Sequence, residues 1–425
     1  MEGLVTIIGP CSRGVVMAIE CTSGVAVQVR RITDGPAGHF FGYYDMPAWD
    51  MSDRWLLAQR VVRDVGIPTS GDMATIGLID TLGLCRFEPV ATTRTWSWQQ
   101  GAMLHWLPKH GPRTFVHNDI DRGRFVARVR DIDSGARRVL DRPIAAMTHD
   151  QSRALSLNFA RLRVRPEVGY PGAPDLWEGV DHSKSDGIFV VDLDSGSSRL
   201  VASLDAIVAT CHAPSMDGAV NWVNHLIVSP DDAAAMFVHR WWPPGASRFR
   251  TRFMLLMLDD YSIREIWPAR VSHMCWRSPT EIVFTGVAAD VEEDPFAPTI
   301  PYHHMGFRIL DVATGNSRRI GEQLLPSDGH CTYRPGGRYI LTDTPVDQDG
   351  MRELLIFDEL TERVLSLARF HVPSRYQGTV RCDLHPRWNR GGTSVCIDSV
   401  HEGSRQMYVL GVSDALRAWS PEAMQ

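Results

Sequence analysis

Short apolar runs broken by turns rich in Pro, Asp, Asn and Gly fill this chain, and extended helical periodicity is hard to find in it. One phrase recurs: a polar residue or histidine, a short apolar strand, a turn, then a β-rich strand. Its clearest copies are NHLIVSPDDAAAMFVH from Asn224, SHMCWRSPTEIVFTG from Ser272, GHCTYRPGGRYILTD from Gly329 and LHPRWNRGGTSVCID from Leu384. Weaker copies begin at Tyr44, Gly101 and Met147, which makes seven. A second hairpin follows, often after a spacer, with turns reading DTLG from Asp80, DIDSG from Asp131, DLDSG from Asp192 and DVATG from Asp311. Four short strands per unit of roughly 45–60 residues predict a seven-bladed β-propeller of four-stranded antiparallel blades. Expected blade starts lie near 45, 102, 147, 225, 273, 330 and 385, within a single domain over 1–425. A pair of β-sandwiches has similar strand spacing, but seven phase-matched copies favour the ring. The strands before Ile32 are expected to close it by pairing with the last blade, and 166–185 is expected to be a long loop.

Composition narrows the partners more than the fold. The 425 residues are 44 % hydrophobic and 22 % charged, ample for one large toroidal core. Net charge is −6 and no long run of one sign occurs, which argues against nucleic acid and favours a carbohydrate or small molecule. No apolar stretch is long enough to span a membrane, and the N-terminus lacks the basic and apolar regions of a signal peptide. The eight cysteines form no CxxC pair and read as reduced thiols, so a cytoplasmic location is expected.

In a propeller the start of a blade's first strand and the end of its second lie at the same face. His225, His273, His330 and His385 fall at first-strand starts of four consecutive blades. His117, His239, His401, Asn158 and Phe159 fall at second-strand ends, so all are expected near one mouth of the central channel. Imidazoles from neighbouring blades can converge as ligands of a divalent metal (Zn, Mn or Ca). Any one of these histidines alone reads more simply as a hydrogen-bonded core residue; the case rests on four in phase. Arginines accompany them: Arg240 after His239, Arg381 before His385, and Arg161, Arg163 and Arg165 alternating as on one strand face. Guanidinium groups bind carboxylates bidentately, and aromatic residues such as Trp241 stack on sugar faces. There is no GxSxG elbow, P-loop or GxGxxG fingerprint. Acidic pairs for glycosidase chemistry, drawn from Asp45, Asp119, Asp343, Asp398 and Glu402, stay open, although such aspartates more often satisfy turns.

The phrases NHLIVSPDD, SHMCW, SDGHCTYRPGGRYILTD and DLHPRWNRGGTSVCIDSVHEG, with His239-Arg240, resemble the propeller polysaccharide lyases related to oligogalacturonate lyase. GHFFGYYDMPAWD, WSWQQGAMLHW and RYQGTVRCDLHPRW look closer still to the ulvan lyase and rhamnose–glucuronate lyase branch, over His39 to Leu410. The resemblance implies β-elimination in a uronate-containing oligosaccharide or polysaccharide. It further implies His117, with Asn118 beside it, as base or acid, and Tyr170 or His239 as its partner. Arg240 and Arg381 would hold the carboxylate, and His225, His273, His330 and His385 a metal or the sugar. Asn158, Arg161, Arg165, Trp241 and His401 complete the expected substrate contacts. One departure is visible: the WSWQQG phrase carries no histidine before His105, so the acid–base pair differs from the family's or the activity has changed. A non-catalytic sugar-binding propeller, or an epimerase or glycoside hydrolase, are the alternatives.

Overall fold

A computed structural model describes residues 6–11, 14–20, 24–63, 65–290, 305–326 and 328–420, the residues before 24 as backbone alone. The described residues form seven antiparallel sheets. Six have four strands each, running in sequence order through 38–93, 105–140, 146–203, 220–267, 271–319 and 332–371. The seventh is composite: Arg387–Trp388, Ser394–Ser399 and Gln406–Gly411, then Ala26–Arg31, Gly14–Glu20 and Thr6–Cys11 from the other end of the chain. This is a seven-bladed β-propeller with few helices.

Local chemistry makes the blades. The turn between third and fourth strands is built the same way in several of them. Asp131 Oδ1 accepts from the backbone N–H of Ser134, Asp192 Oδ1 from Ser195, and Asp311 Oδ1 from Ala313 and Thr314. Gly135, Gly196 and Gly315 follow at φ +72°, +77° and +74°, a conformation that a side chain disfavours. Six copies of the repeated phrase supply the two innermost strands of their blades; in blade 1 the innermost strand is Gly38–Phe40, ahead of the expected start near 45, and the copy from Tyr44 runs through a loop into the second strand, Trp55–Val61. The apolar sides of these strands fill the space between blades; Leu56, Leu57, Val116, Leu155, Phe237, Phe284, Leu341 and Ile397 are all inaccessible.

The two chain ends meet in blade 7, where Gln28 to Arg31 pair antiparallel with Tyr408 to Gly411. Val27 and Val29 are buried there, which stabilises the closure by about 2 kcal/mol each. Thr33 Oγ1 donates to Gln406 Oε1 at 2.7 Å beside the joint. Over 158–186 the chain leaves the sheets. RLRV at Arg161–Val164 is a 3-10 turn, not a strand face, because Asn158 Oδ1 accepts the backbone N–H groups of Ala160 and Arg161 and starts a turn.

Candidate functional site

A cavity of about 770 Å³ opens at one end of the channel. Its charged wall comprises Arg165, Arg240, Arg270, Arg352 and Arg381 with Asp328, Asp343 and Asp383. Tyr43, His225, His273 and His330 line it too, and Val168, Phe249, Val271, Met305 and Val346 form an apolar side. Tyr43 lies in the GYYD loop, which crosses the channel before the second strand of blade 1. Its ring stacks on His225 (5.0 Å between centroids) and meets His385 edge-on (5.1 Å).

Three histidines form a continuous cluster: His273 and His330 centroids are 3.9 Å apart, His330 and His385 4.5 Å. Each is anchored through Nδ1. His273 Nδ1 lies 2.8 Å from Asp328 Oδ1, His330 Nδ1 2.8 Å from Asp343 Oδ1, and His385 Nδ1 2.7 Å from the Gly42 carbonyl oxygen. Carboxylates and carbonyls only accept, so these Nδ1 atoms carry the protons and the Nε2 lone pairs are left for other use. Asp328 also accepts from Ser272 and Thr285, and with His273 beside it its carboxyl is held well below the usual range. Burial holds His330 and His385 below the ordinary imidazole value, so both are neutral at pH 7.

Ligand atoms of His330, Asp383 and His385 all lie within 4.8 Å of one another, and His385 Nε2 is buried without a hydrogen-bond partner among the described residues. A neutral imidazole fixed through Nδ1 by an acceptor is the arrangement that metal-ligating histidines use. These residues therefore fit a divalent cation, by donor type and by outer-shell anchoring. Two strained backbones serve the cluster: His225 and His385 have φ of +53° and +42°, and His225 lies at an irregularity of strand Val220–Val228.

The arginines differ in how they are neutralised. Arg165 pairs with Glu167 (Nε to Oε1 2.7 Å). Arg381 Nε donates to Asp383 Oδ2 at 2.9 Å, and Arg352 Nη2 to Asp383 Oδ1. Arg240 is 8 % exposed, makes no ion pair among the described residues, and lies 5.3 Å from the Phe249 ring centroid. Burial first, and the neighbouring Arg165 second, push its pKa down to about 10. Tyr43 likewise makes no hydrogen bond among the described residues, and burial raises its hydroxyl well above the usual value.

Of the residues singled out from the sequence, Arg165, Arg240, Arg381, His225, His273 and His330 line this cavity, with His385 against His330. The others do not. His117 is fully buried in blade 2, with Nδ1 against the Asn118 carbonyl and Nε2 accepting from Arg130 Nε at 3.1 Å. His239 accepts from Arg252 Nε at Nδ1 (2.9 Å) and meets Asn221 Oδ1 through Nε2 (3.0 Å). Burial keeps both imidazoles neutral, and both nitrogens of each are spent on the scaffold. Tyr170 is buried, stacked on Phe159 at 4.3 Å, and Asn118 bonds the backbone of Ile144 to tie two blades. Asn158 binds Asp175 and Asp186, and Arg161 donates to the carbonyls of Asn221, Trp177 and Asp181, holding the long loop. Trp241 bonds Ser215, and His401 sits against Tyr408 on blade 7. The reason is parity: successive side chains point to opposite faces of a strand, so Arg240 turns to the cavity while His239 and Trp241 turn to the blade interface.

Sequence reasoning overlooked Tyr43, Asp328, Asp383, Arg270 and Arg352. A usable signal existed, since Asp-x-His occurs twice, at Asp328-Gly329-His330 and Asp383-Leu384-His385. The first aspartate of these serves His273 of the preceding blade, which the phrase alone does not tell.

No protein-family model and no curated protein sequence matches the chain. Among solved structures, an oligogalacturonate lyase from Vibrio parahaemolyticus superposes with a TM-score of 0.63 at 12 % identity, over 98 % of this chain and 100 % of that one. An oligogalacturonate lyase in complex with manganese gives 0.64 at 14 % identity, over 99 % and 100 %. The tricorn protease gives 0.51 at 9 % identity, covering 95 % of this chain but 38 % of its own. At these identities the likeness is one of fold, and the propeller architecture matches that of the two lyases over their whole length.

Proposed function

We propose that the protein is a lyase that cleaves uronate-containing oligosaccharides by β-elimination in the 770 Å³ cavity. The observation that carries this reading is Arg240, a buried guanidinium facing the cavity without a carboxylate of its own among the described residues. A charge of that kind is costly unless an anion completes it. The full-length fold likeness to two oligogalacturonate lyases supports the same reaction class. The finer likeness of GHFFGYYD and RYQGTVRCDLHPRW to ulvan and rhamnose–glucuronate lyases, and action in the cytoplasm on short chains, belong to the same reading.

Elimination moves the proton α to the carboxylate onto a base, forms a carbon–carbon double bond and breaks the adjacent C–O bond, whose oxygen takes a proton. In this scheme Arg240, with Arg381, binds the uronate carboxylate bidentately and stabilises the charge that develops on it as the α proton leaves. His273, oriented by Asp328 through Nδ1, offers a free Nε2 as general base. Tyr43, kept protonated by burial, gives its hydroxyl proton to the departing oxygen. His330, His385 and Asp383 would hold a divalent cation such as manganese. Bound there, it would add Lewis-acid stabilisation of negative charge. His117, Tyr170 and His239 keep scaffold roles.

The deciding experiment follows the ultraviolet absorbance of a conjugated ene-carboxylate while the protein and added Mn²⁺ act on a panel of glucuronate and galacturonate oligosaccharides. Growth on any member establishes elimination, and Tyr43→Phe is expected to slow that growth by about 100-fold. Binding without absorbance would leave a sugar-binding propeller, and product without the double bond an epimerase or glycosidase.

A further inference from the structure

Asp383 stands between two kinds of partner. Both of its oxygens are engaged by guanidinium groups, Oδ1 by Arg352 and Oδ2 by Arg381 at 2.9 Å. The same carboxylate lies within 4.8 Å of the ligand nitrogens of His330 and His385. A cation held there by one of these oxygens competes with the guanidinium on it for the carboxylate's charge, so the weaker of the two ion pairs yields. Arg352 is the harder one to lose: its side chain is 10 % exposed, Nη1 donates to the Thr344 carbonyl at 2.7 Å, and Asp343 lies 4.0 Å away. Arg381 is the easier. Its side chain is 33 % exposed, it lines the cavity, and a second acid, Glu167, waits 3.9 Å from its Nη1.

We propose that Asp383 couples cation binding at the histidine cluster to carboxylate binding at Arg381, each event releasing the group that the other needs. This rests on the reading of the cavity as a uronate site. A cation that draws Asp383 away leaves Arg381 short of a carboxylate, and the substrate's carboxylate restores the pair. Conversely, a substrate carboxylate on Arg381 frees Asp383 Oδ2 to turn towards His330 and His385. Linkage makes the effect reciprocal: uronate tightens the cation by the same factor as the cation tightens uronate. Arg381 is thus a positioning residue for the cation as well as a substrate ligand.

The test measures Mn²⁺ affinity of the full chain, by titration calorimetry and by the electron paramagnetic resonance of free Mn²⁺, with and without saturating D-glucuronate. The free monosaccharide carries no glycosidic bond at the position to be cleaved, so no turnover intrudes. Glucuronate is expected to tighten Mn²⁺ by ~10-fold in the parent protein. In Arg381→Met the factor should fall to within about twofold of unity, because the exchange partner is gone. Simple attraction between the two bound ions would instead survive that substitution, and an unchanged factor overturns the proposal. Glu167→Gln works the other way: Arg381, deprived of its second acid, holds Asp383 more firmly, so Mn²⁺ alone binds more weakly and the factor grows. A factor unchanged by Glu167→Gln also counts against it. If both ligands bind the parent with no coupling, this inference falls and the uronate reading stands. If glucuronate does not bind, the reading falls and takes the inference with it; if Mn²⁺ does not bind, only the inference falls.

Discussion

Arg240 should be a residue that the fold would be better off without. The residue is 8 % exposed, its buried Nε has no hydrogen-bond partner among the described residues, and its guanidinium carbon lies 5.3 Å from the Phe249 ring centroid. Burial lowers its pKa from the ordinary guanidinium value to about 10, so the folded protein holds that proton less firmly than the unfolded chain does. For a base with a depressed folded pKa the penalty is fully present below pH 10 and is relieved as pH rises from there towards the ordinary guanidinium value. At neutral pH it amounts to roughly 3 kcal/mol. Arg240→Met keeps most of the volume and removes the charge, so its melting temperature should equal or exceed the parent's. Its kcat/KM on the best oligosaccharide should fall by ~100-fold or more, since two charge-assisted hydrogen bonds to the substrate at about 1.5–3 kcal/mol each are lost. Arg240→Lys keeps a point charge and loses the fork, and should retain more activity than Arg240→Met while remaining well below the parent. Thermal melts and initial rates on the three proteins decide the matter. A methionine variant that melts several degrees lower, or that turns over normally, refutes the reasoning.

Two further outcomes separate scaffold from site. His117→Ala leaves Arg130 Nε and the space beside Phe115 without a partner, so it should cost about 2–4 kcal/mol of stability while the surviving folded fraction keeps its kcat; denaturant melts with active-fraction-corrected rates test this, and a normal melt with lost kcat would return His117 to the chemistry. Asp45 faces a small void behind His225, with Oδ1 unpaired among the described residues, and burial raises its carboxyl from 3.8 to about 7. Folding therefore favours its protonated form, and the parent loses stability as pH rises from 4 through 7. Asp45→Asn should melt higher than the parent at pH 8 and about equally at pH 4, and parallel curves at both would show the carboxylate to be solvated.

The fold class and the site were unequally legible. Blade architecture is written in local terms: a period of two within strands, an Asp that accepts turn N–H groups, and a glycine at positive φ three or four residues on. Such features act over a few residues and repeat, so seven phase-matched copies predicted a seven-bladed ring without any long-range information. The four histidines of blades 4 to 7 stood out for the same reason, because they recur at one phase of the repeat. Direction is another matter. His239 and Arg240 are adjacent, yet one is spent on Arg252 and Asn221 and the other faces the cavity. A single-residue irregularity, such as the one that gives His225 its positive φ, is enough to exchange those fates. Partner choice is decided at longer range still: Asp328 sits two residues before His330 but anchors His273, and His385 is anchored by the carbonyl of Gly42 from the far end of the chain. The sequence by itself determined the ring, its turns and the residue types at its mouth. Tertiary structure alone decided which of those side chains meet, because that depends on how the seven blades are phased around one axis.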